Sequence, residues 1–252
     1  MKFTMTVSPD FSPDHIAGWY VFNTWLQIQS EQSIHLELYN SFEKQREDIK
    51  ADKIDLIYAN PYDASMLIRE KGFVAIASPF QKSDEAVICV NSESDYTCVE
   101  DLKPGCTVAT ADDPQVSTIG MIMLEPADLS SGNITVDEFK NYVMVAKNLI
   151  SKKADAGFFL KEAYDDMSKF IKSQIRLIVS SQISIIRHTF LVSPNFLENS
   201  SLDEQGVRNL LNSMHETEKG ASTLKSLGFE KWDNQDHEEA EFMIDLMDTL
   251  ID

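Results

Sequence analysis

The sequence predicts an α/β fold in which strands and helices alternate along the chain. Two observations carry this. The apolar period switches between two residues and about 3.6 residues through the first part of the chain. Proline, serine or asparagine sits at each switch, where helices start and strands stop. Phe3, Met5 and Val7 alternate as a strand that Ser8-Pro9-Asp10 breaks. Ser12-Pro13-Asp14 offers a capping serine followed by proline at the first helical position, and Ile16, Tyr20 and the apolar run to Leu26 follow at helical spacing. Ile34 to Leu38 alternates again. Ser41 caps a polar helix to about Ala51, Ile54 to Tyr58 is a short buried strand, and Asn60-Pro61 opens a helix to about Lys71. This β-α-β-α-β-α order implies a mostly parallel sheet.

Ala86 to Val90 is apolar throughout, as a strand covered on both faces would be. Asp101 to Gly105 reads as a turn and Thr107 to Ala109 as a strand. Ser117 is placed to cap a helix that runs to Leu124 and stops at Pro126. Thr135-x-x-Glu138 matches a capping box. Tyr142–Val145, Ala156–Phe159, Ile175–Val179 and His188–Val192 read as further strands, and helices follow over about 203–215, 217–226 and 237–250. In the last of these, Phe242, Leu246, Met247 and Leu250 form the expected apolar stripe. The eight carboxylates from Asp233 to Asp252 fall around it as a solvated face or a docking tail. No internal repeat or low-complexity linker is visible, so two α/β units that exchange strands are expected.

Twenty-two basic residues against 41 acidic ones give a net charge of −19. Such a surface repels phosphate backbones and anionic lipid, which argues against a nucleic-acid or peripheral membrane role. A small anion remains compatible, since backbone N–H groups at a helix N-terminus can hold one locally. Cys89, Cys98 and Cys106, at C-x8-C and C-x7-C, match no common zinc spacing and are expected as ordinary thiols. No G-x-S-x-G, P-loop or G-x-G-x-x-G occurs, and His237-Glu238-Glu239 lacks the second histidine of H-E-x-x-H. The five histidines are scattered. Catalytic residues, metal ligands and a cofactor are not expected. Met1-Lys2-Phe3 leads straight into the first strand without an apolar leader core or small-residue cleavage site.

Asp112-Asp113-Pro114-Gln115-Val116-Ser117-Thr118-Ile119-Gly120 follows a strand and opens a helix. It reads either as an oxyanion cradle of N–H groups and two hydroxyls or as a plain helix cap. Tyr58-Ala59-Asn60-Pro61-Tyr62 is a second strand-to-helix corner. In open α/β sheets, ligands bind outside the carboxyl ends of strands.

Four segments taken together resemble a known family. They are Ile54 to Pro61; Val87 to Val90 with Val99 to Gly105; Asp113-Pro114 with Ser117-Thr118-Ile119-Gly120; and Ala154-Asp155-Ala156-Gly157. Over about Val7 to Asp245 the chain resembles the phosphate/phosphite/phosphonate solute-binding proteins, periplasmic binding proteins of the type 2 topology. The resemblance implies a two-lobed α/β fold, each lobe a mostly parallel sheet flanked by helices. Lobe one would hold residues 1–87 and 189–252 and lobe two 88–188, with hinge strands near 84–89 and 186–191. It implies a monomer that closes around a phosphonate- or phosphate-like ligand between the lobes and presents it to an ABC-transporter permease or a signalling partner. It implies the periplasm, while the missing leader leaves the cytoplasm open.

The ligand residues it implies are Ser8, Asn60, Tyr62, Asp84, Ser117, Thr118, Gly120 and Tyr142, with Tyr62, Tyr142 and Phe158 as aromatic walls. Four positions depart from the family pattern. Ile119 replaces a hydroxyl, Phe42 and Asp84 replace tyrosines, and Tyr142 replaces a histidine. Each change removes a donor or adds negative charge, which points to a neutral or cationic ligand group or to a different ligand. Two alternatives stand beside this reading. One is an enzyme on the same fold, of the cofactor-biosynthesis type, with Asp84, Asp113 and Tyr142 as its only reactive groups. The other is a diverged scaffold with an altered ligand.

Overall fold

The computed structural model describes residues 2–11 and 13–251. The serine expected to cap the first helix, Ser12, lies outside the described residues. The chain runs through β1 (Lys2–Val7), α1 (Ile16–Ser30), β2 (Ser33–Leu38), α2 (Phe42–Lys50), β3 (Leu56–Ala59), α3 (Pro61–Arg69) and β4 (Val74–Pro79). It continues through β5 (Ala86–Asn91), β6 (Thr107–Ala111), α4 (Pro114–Leu124), β7 (Thr135–Phe139), α5 (Tyr142–Ile150), β8 (Ala156–Leu160), α6 (Lys161–Asp165), α7 (Lys169–Gln174) and β9 (Ile175–Ser180). The last elements are β10 (Thr189–Val192), α8 (Pro194–Asn199), α9 (Glu204–Asn212), α10 (Glu218–Ser226), β11 (Trp232–Asn234) and α11 (His237–Ile251).

Two compact units form. Unit 1 is Met1–Ser83 with Ile185–Met247, and unit 2 is Asp84–Ser184 with Asp248–Asp252. Unit 1 holds a six-stranded sheet in the order β11-β4-β10-β3-β1-β2. β1 pairs in parallel with β2 and β3, as the βαβ reading requires. β10 arrives after the Asp84–Ser184 segment of unit 2 and inserts antiparallel between β3 and β4. Unit 2 holds a five-stranded sheet in the order β7-β6-β8-β5-β9. There β6 pairs in parallel with β7 and β8, and β5 runs antiparallel to β8 and β9. Both sheets are therefore mixed, because the strands next to each chain crossing run opposite to the βαβ strands.

The core of unit 1 is aromatic. Phe22 packs edge-on against Trp19 and Phe190, and Trp232 meets Phe229 and Phe190 in the same way. Such pairs add about 0.5–1.5 kcal/mol each beyond area burial. Unit 2 is built instead from aliphatic strands, with Val87, Ile88, Val90 and Val108 buried beside Phe158 and Phe159.

A repeated device, each time within a Lys-x-Asp run, anchors both sheets. Asp55, just before β3, accepts from Thr4 N at 2.8 Å and donates its own N–H to Thr4 O at 2.8 Å. Asp155, just before β8, does the same with Thr107 at 2.8 Å in each direction. Each clasp locks the register of a parallel pair at its first residue. The preceding helices also correspond. Ser41 caps α2 and Asn141 caps α5, and Asp52 and Lys152 take the left-handed conformation at φ 55° and 56°. The aspartates of both family-like segments are thus strand clasps.

Four local expectations change. Residues 142–145 are helical, because Asn141 Oδ1 accepts from Met144 N and Val145, Ala146 and Leu149 bury one face. Thr135 caps nothing and starts β7, an exposed edge strand. The cap of α4 is Asp113, whose Oδ1 accepts from Val116 N at 3.2 Å, so Ser117 lies inside the helix. In α11 the buried face is Ala240, Met243, Ile244 and Met247, while Phe242 is 60% exposed and the side chain of Leu250 lies outside the described residues. Met247 belongs to the expected stripe, but the small Ala240 together with Met243 and Ile244 sets the face that is buried.

Candidate functional site

Unit 2 builds one corner where β6 passes into α4. Asp113 is buried and uses both carboxylate oxygens. One caps α4, and the other accepts from the Tyr142 hydroxyl at 2.7 Å. Tyr142 packs its ring against Phe159. The tyrosine that stands at the family's histidine position thus orients the cap of the helix. Ser117 and Thr118 lie half-buried in the first turns of α4. Ser117 Oγ shares a hydrogen bond of 2.8 Å with Thr110 Oγ1. Either hydroxyl can be the donor in this pair, and Thr110 Oγ1 also lies 3.3 Å from Ala111 O as a donor. Ile119 is buried and faces the core, so its missing hydroxyl is a packing choice. Gly120 is required by packing too, because a Cβ there would sit 2.5 Å from the Phe158 ring.

Unit 1 builds a second corner where β1 and β3 end. Asn60 caps α3 by accepting from Asp63 N at 2.8 Å, and Pro61 takes the first helical position. Asp63 is buried and is forked by Arg46, Nε to Oδ1 at 2.6 Å and an Nη to Oδ2 at 3.3 Å. The Asp63 carboxyl is pushed up by burial, and the Arg46 guanidinium pulls in the opposite direction. Arg46 also lies over the rings of Phe42 and Tyr62, 4.9 and 5.0 Å from their centroids. Phe42 therefore supports a cation where a tyrosine hydroxyl was expected, and Tyr62 stays 41% exposed. Next to this pair, His188 Nε2 meets both oxygens of Asp10 at 3.0 and 3.1 Å, and Tyr58 stacks on the imidazole at 5.0 Å.

The structure thus groups Ser8, Asn60 and Tyr62 in one corner and Ser117, Thr118, Gly120 and Tyr142 in the other. Asp84 belongs to neither. It is buried at the start of unit 2 beside Glu85, whose carboxylate accepts from Ser181 Oγ, Ile183 N and Ser184 N. Sequence reasoning named the Ser8–Asp10 turn but missed Gln45, Arg46, Asp63 and His188. Asp10 and His188 are 178 positions apart, and only a strand inserted from the far end of the chain brings them together. For Arg46 a local signal did exist, since its four-residue offset from Phe42 puts both on one helix face.

Residues 5–240 match the family model of the ABC transporter, phosphonate, periplasmic substrate-binding proteins. The chain belongs to that family. This solute-binding family works with ABC transporters, and its members are periplasmic. No helix among the described residues is long and apolar enough to cross a membrane.

Among solved structures, family resemblance continues at the level of fold. PhnD1 from Prochlorococcus marinus, in complex with methylphosphonate, matches with a TM-score of 0.85 at 10% identity, over 99% of this chain and 98% of that one. A binding-protein component of an ABC phosphonate transporter from Pseudomonas aeruginosa matches at 0.77 and 14% identity, over 100% and 89%. The periplasmic aliphatic sulphonate binding protein SsuA from Escherichia coli matches at 0.71 and 14% identity, over 99% and 86%. No curated protein sequence matches the chain.

Proposed function

We propose that this solute-binding protein captures a phosphonate- or phosphate-like oxyanion and hands it to a membrane permease as a monomer, without chemical turnover. Ser117 and Thr118 at the start of α4 serve as donors to the oxyanion. Ser8, Asn60, Tyr62 and Asp84 are the further ligand residues that the family resemblance implies. The single observation that supports this most is the α4 corner. Two half-buried hydroxyls stand on the first turns of a helix whose cap, Asp113, is itself fixed by Tyr142. A helix N-terminus favours negative charge, and hydroxyls there add directed donors.

The cap is an ionisable acid, so the corner favours oxyanions of low charge over a full dianion. The test is a thermal-shift titration with methylphosphonate. The wild-type chain should be stabilised, and the Ser117→Ala/Thr118→Ala double variant should keep the fold and lose the shift. A full shift in the double variant would overturn the cradle assignment. Consumption of the ligand by the purified protein would overturn the non-enzymatic reading.

A further inference from the structure

We propose that the unit 1 corner recognises an uncharged hydroxyl group on the ligand, read by Ser8, Gln45 and Asn60. This rests on the solute-binding reading above and specifies which solute fits. Three buried polar atoms at this corner have no hydrogen-bond partner among the described residues: Ser8 Oγ, Gln45 Oε1 and Asn60 Nδ2. Leaving buried polar atoms unpaired costs free energy, and such atoms in a fold call for a partner.

Their roles are fixed by the bonds their other atoms make. Gln45 Nε2 donates to Val7 O at 2.7 Å and to Thr6 Oγ1 at 3.0 Å, so Oε1 is left as an acceptor. Asn60 Oδ1 accepts from Asp63 N, so Nδ2 is left as a donor. The backbone brings the three residues together. Val7 pairs with Tyr58 across β1 and β3, Ser8 N donates to Tyr58 O at 2.8 Å, and Asn60 follows Tyr58 by two residues. Gln45 is tied to the same strand end through Val7. The carboxyl ends of two adjacent parallel strands therefore carry the hydroxyl of Ser8 and the donor of Asn60, and the acceptor of Gln45 comes from α2, tied to the end of β1 beside the nine-residue helix α3.

The charges around them are already paired. Arg46 is committed to Asp63, and His188 is held by Asp10. A carboxylate or a fully ionised phosphonate oxygen placed here has no hydrogen to give Gln45 Oε1. An ammonium has no lone pair for Asn60 Nδ2. A hydroxyl does both, donating to Gln45 and accepting from Asn60 and Ser8. A site built to bond a substrate hydroxyl discriminates against the analogue that lacks it, because its own groups are then left unpaired.

The experiment is isothermal titration of the full chain with ethylphosphonate, 2-hydroxyethylphosphonate and 2-aminoethylphosphonate. The hydroxyl compound should bind at least about tenfold tighter than the ethyl compound, and the ammonium compound should gain no such factor. Ser8→Ala should collapse the hydroxyl-to-ethyl ratio below about threefold. Asn60→Asp keeps the α3 cap but replaces the donor with an acceptor, and it should shift preference from the hydroxyl to the ammonium compound. Equal affinities for the hydroxyl and ethyl compounds would mean that ordered water satisfies the three atoms, and the proposal falls while phosphonate binding stands. Failure of all three compounds to bind would overturn the oxyanion reading itself.

Discussion

Gly120→Ala separates a packing glycine from a ligand-contacting one. Gly120 stands on α4 with its Cα against the Phe158 ring, and a Cβ would lie 2.5 Å from both Cγ and Cδ2. Phe158 is fully buried on β8, the central strand of the unit 2 sheet, so the ring has no open side to move into. Overpacking of a close-packed core costs roughly 1–3 kcal/mol, and a contact this short belongs near the upper end. Alanine returns about 1 kcal/mol through helix propensity. The net expectation is a loss of about 2 kcal/mol.

All three tryptophans lie in unit 1, so fluorescence does not report this loss directly. Urea unfolding followed by far-ultraviolet circular dichroism measures it. Hydrogen exchange of the β8 and α4 amides then assigns it to unit 2. The Gly120→Ala/Phe158→Leu double variant removes the offending ring edge. It should be at least about 1 kcal/mol more stable than the sum of the two single changes. Additive singles, or a Gly120→Ala variant as stable as wild type, would refute the packing argument. A stable variant that had lost methylphosphonate binding would return Gly120 to the ligand.

Three other outcomes follow from the same kind of reasoning. Arg46→Met should destabilise unit 1 by about 3 kcal/mol, the lower end for breaking a buried pair because the arginine is partly exposed. Because burial already raises the Asp63 carboxyl, this deficit should shrink on acidification as Asp63 takes up a proton, and Asp63→Asn should rescue the variant. Melting curves across pH 7 to 4 check both. Asp101 caps the turn at Thr97 and Cys98, and hydrogen bonds from the Thr97 N–H and hydroxyl hold its carboxyl down at about 2. Its contribution is present above the ordinary value of 3.8 and is lost as pH falls toward 2, so the stability difference between wild type and Asp101→Asn should vanish over that window.

Finally, Cys98 is exposed while Cys89 and Cys106 are buried. One thiol should react with a disulfide reagent in the native state and three after unfolding. Glu100 and Asp101 push the Cys98 thiol up, so that single reaction should quicken as pH rises above neutrality.

The amino-acid order by itself determined the alternation of elements through the first 80 residues, the caps Ser41 and Asn60, the parallel pairs around β1, and the four segments that resemble the family. These are local signals, set by periodicity over a few residues and by the backbone needs of a helix start. It misread residues 135–145, where a capping-box pattern and an apolar run each had two meanings and tertiary pairing chose between them. Tertiary structure alone decided that β5 and β10 run antiparallel and that Asp55 and Asp155 serve as matching clasps. It also revealed that Ile119 and Gly120 answer to the core, and that Phe42 stacks on a cation. Asp10 meets His188 only because a strand from the end of the chain completes a sheet begun at its start. Long-range contacts of that kind depend on chain reversal and packing, and those quantities have no signature in the spacing of residues along a line.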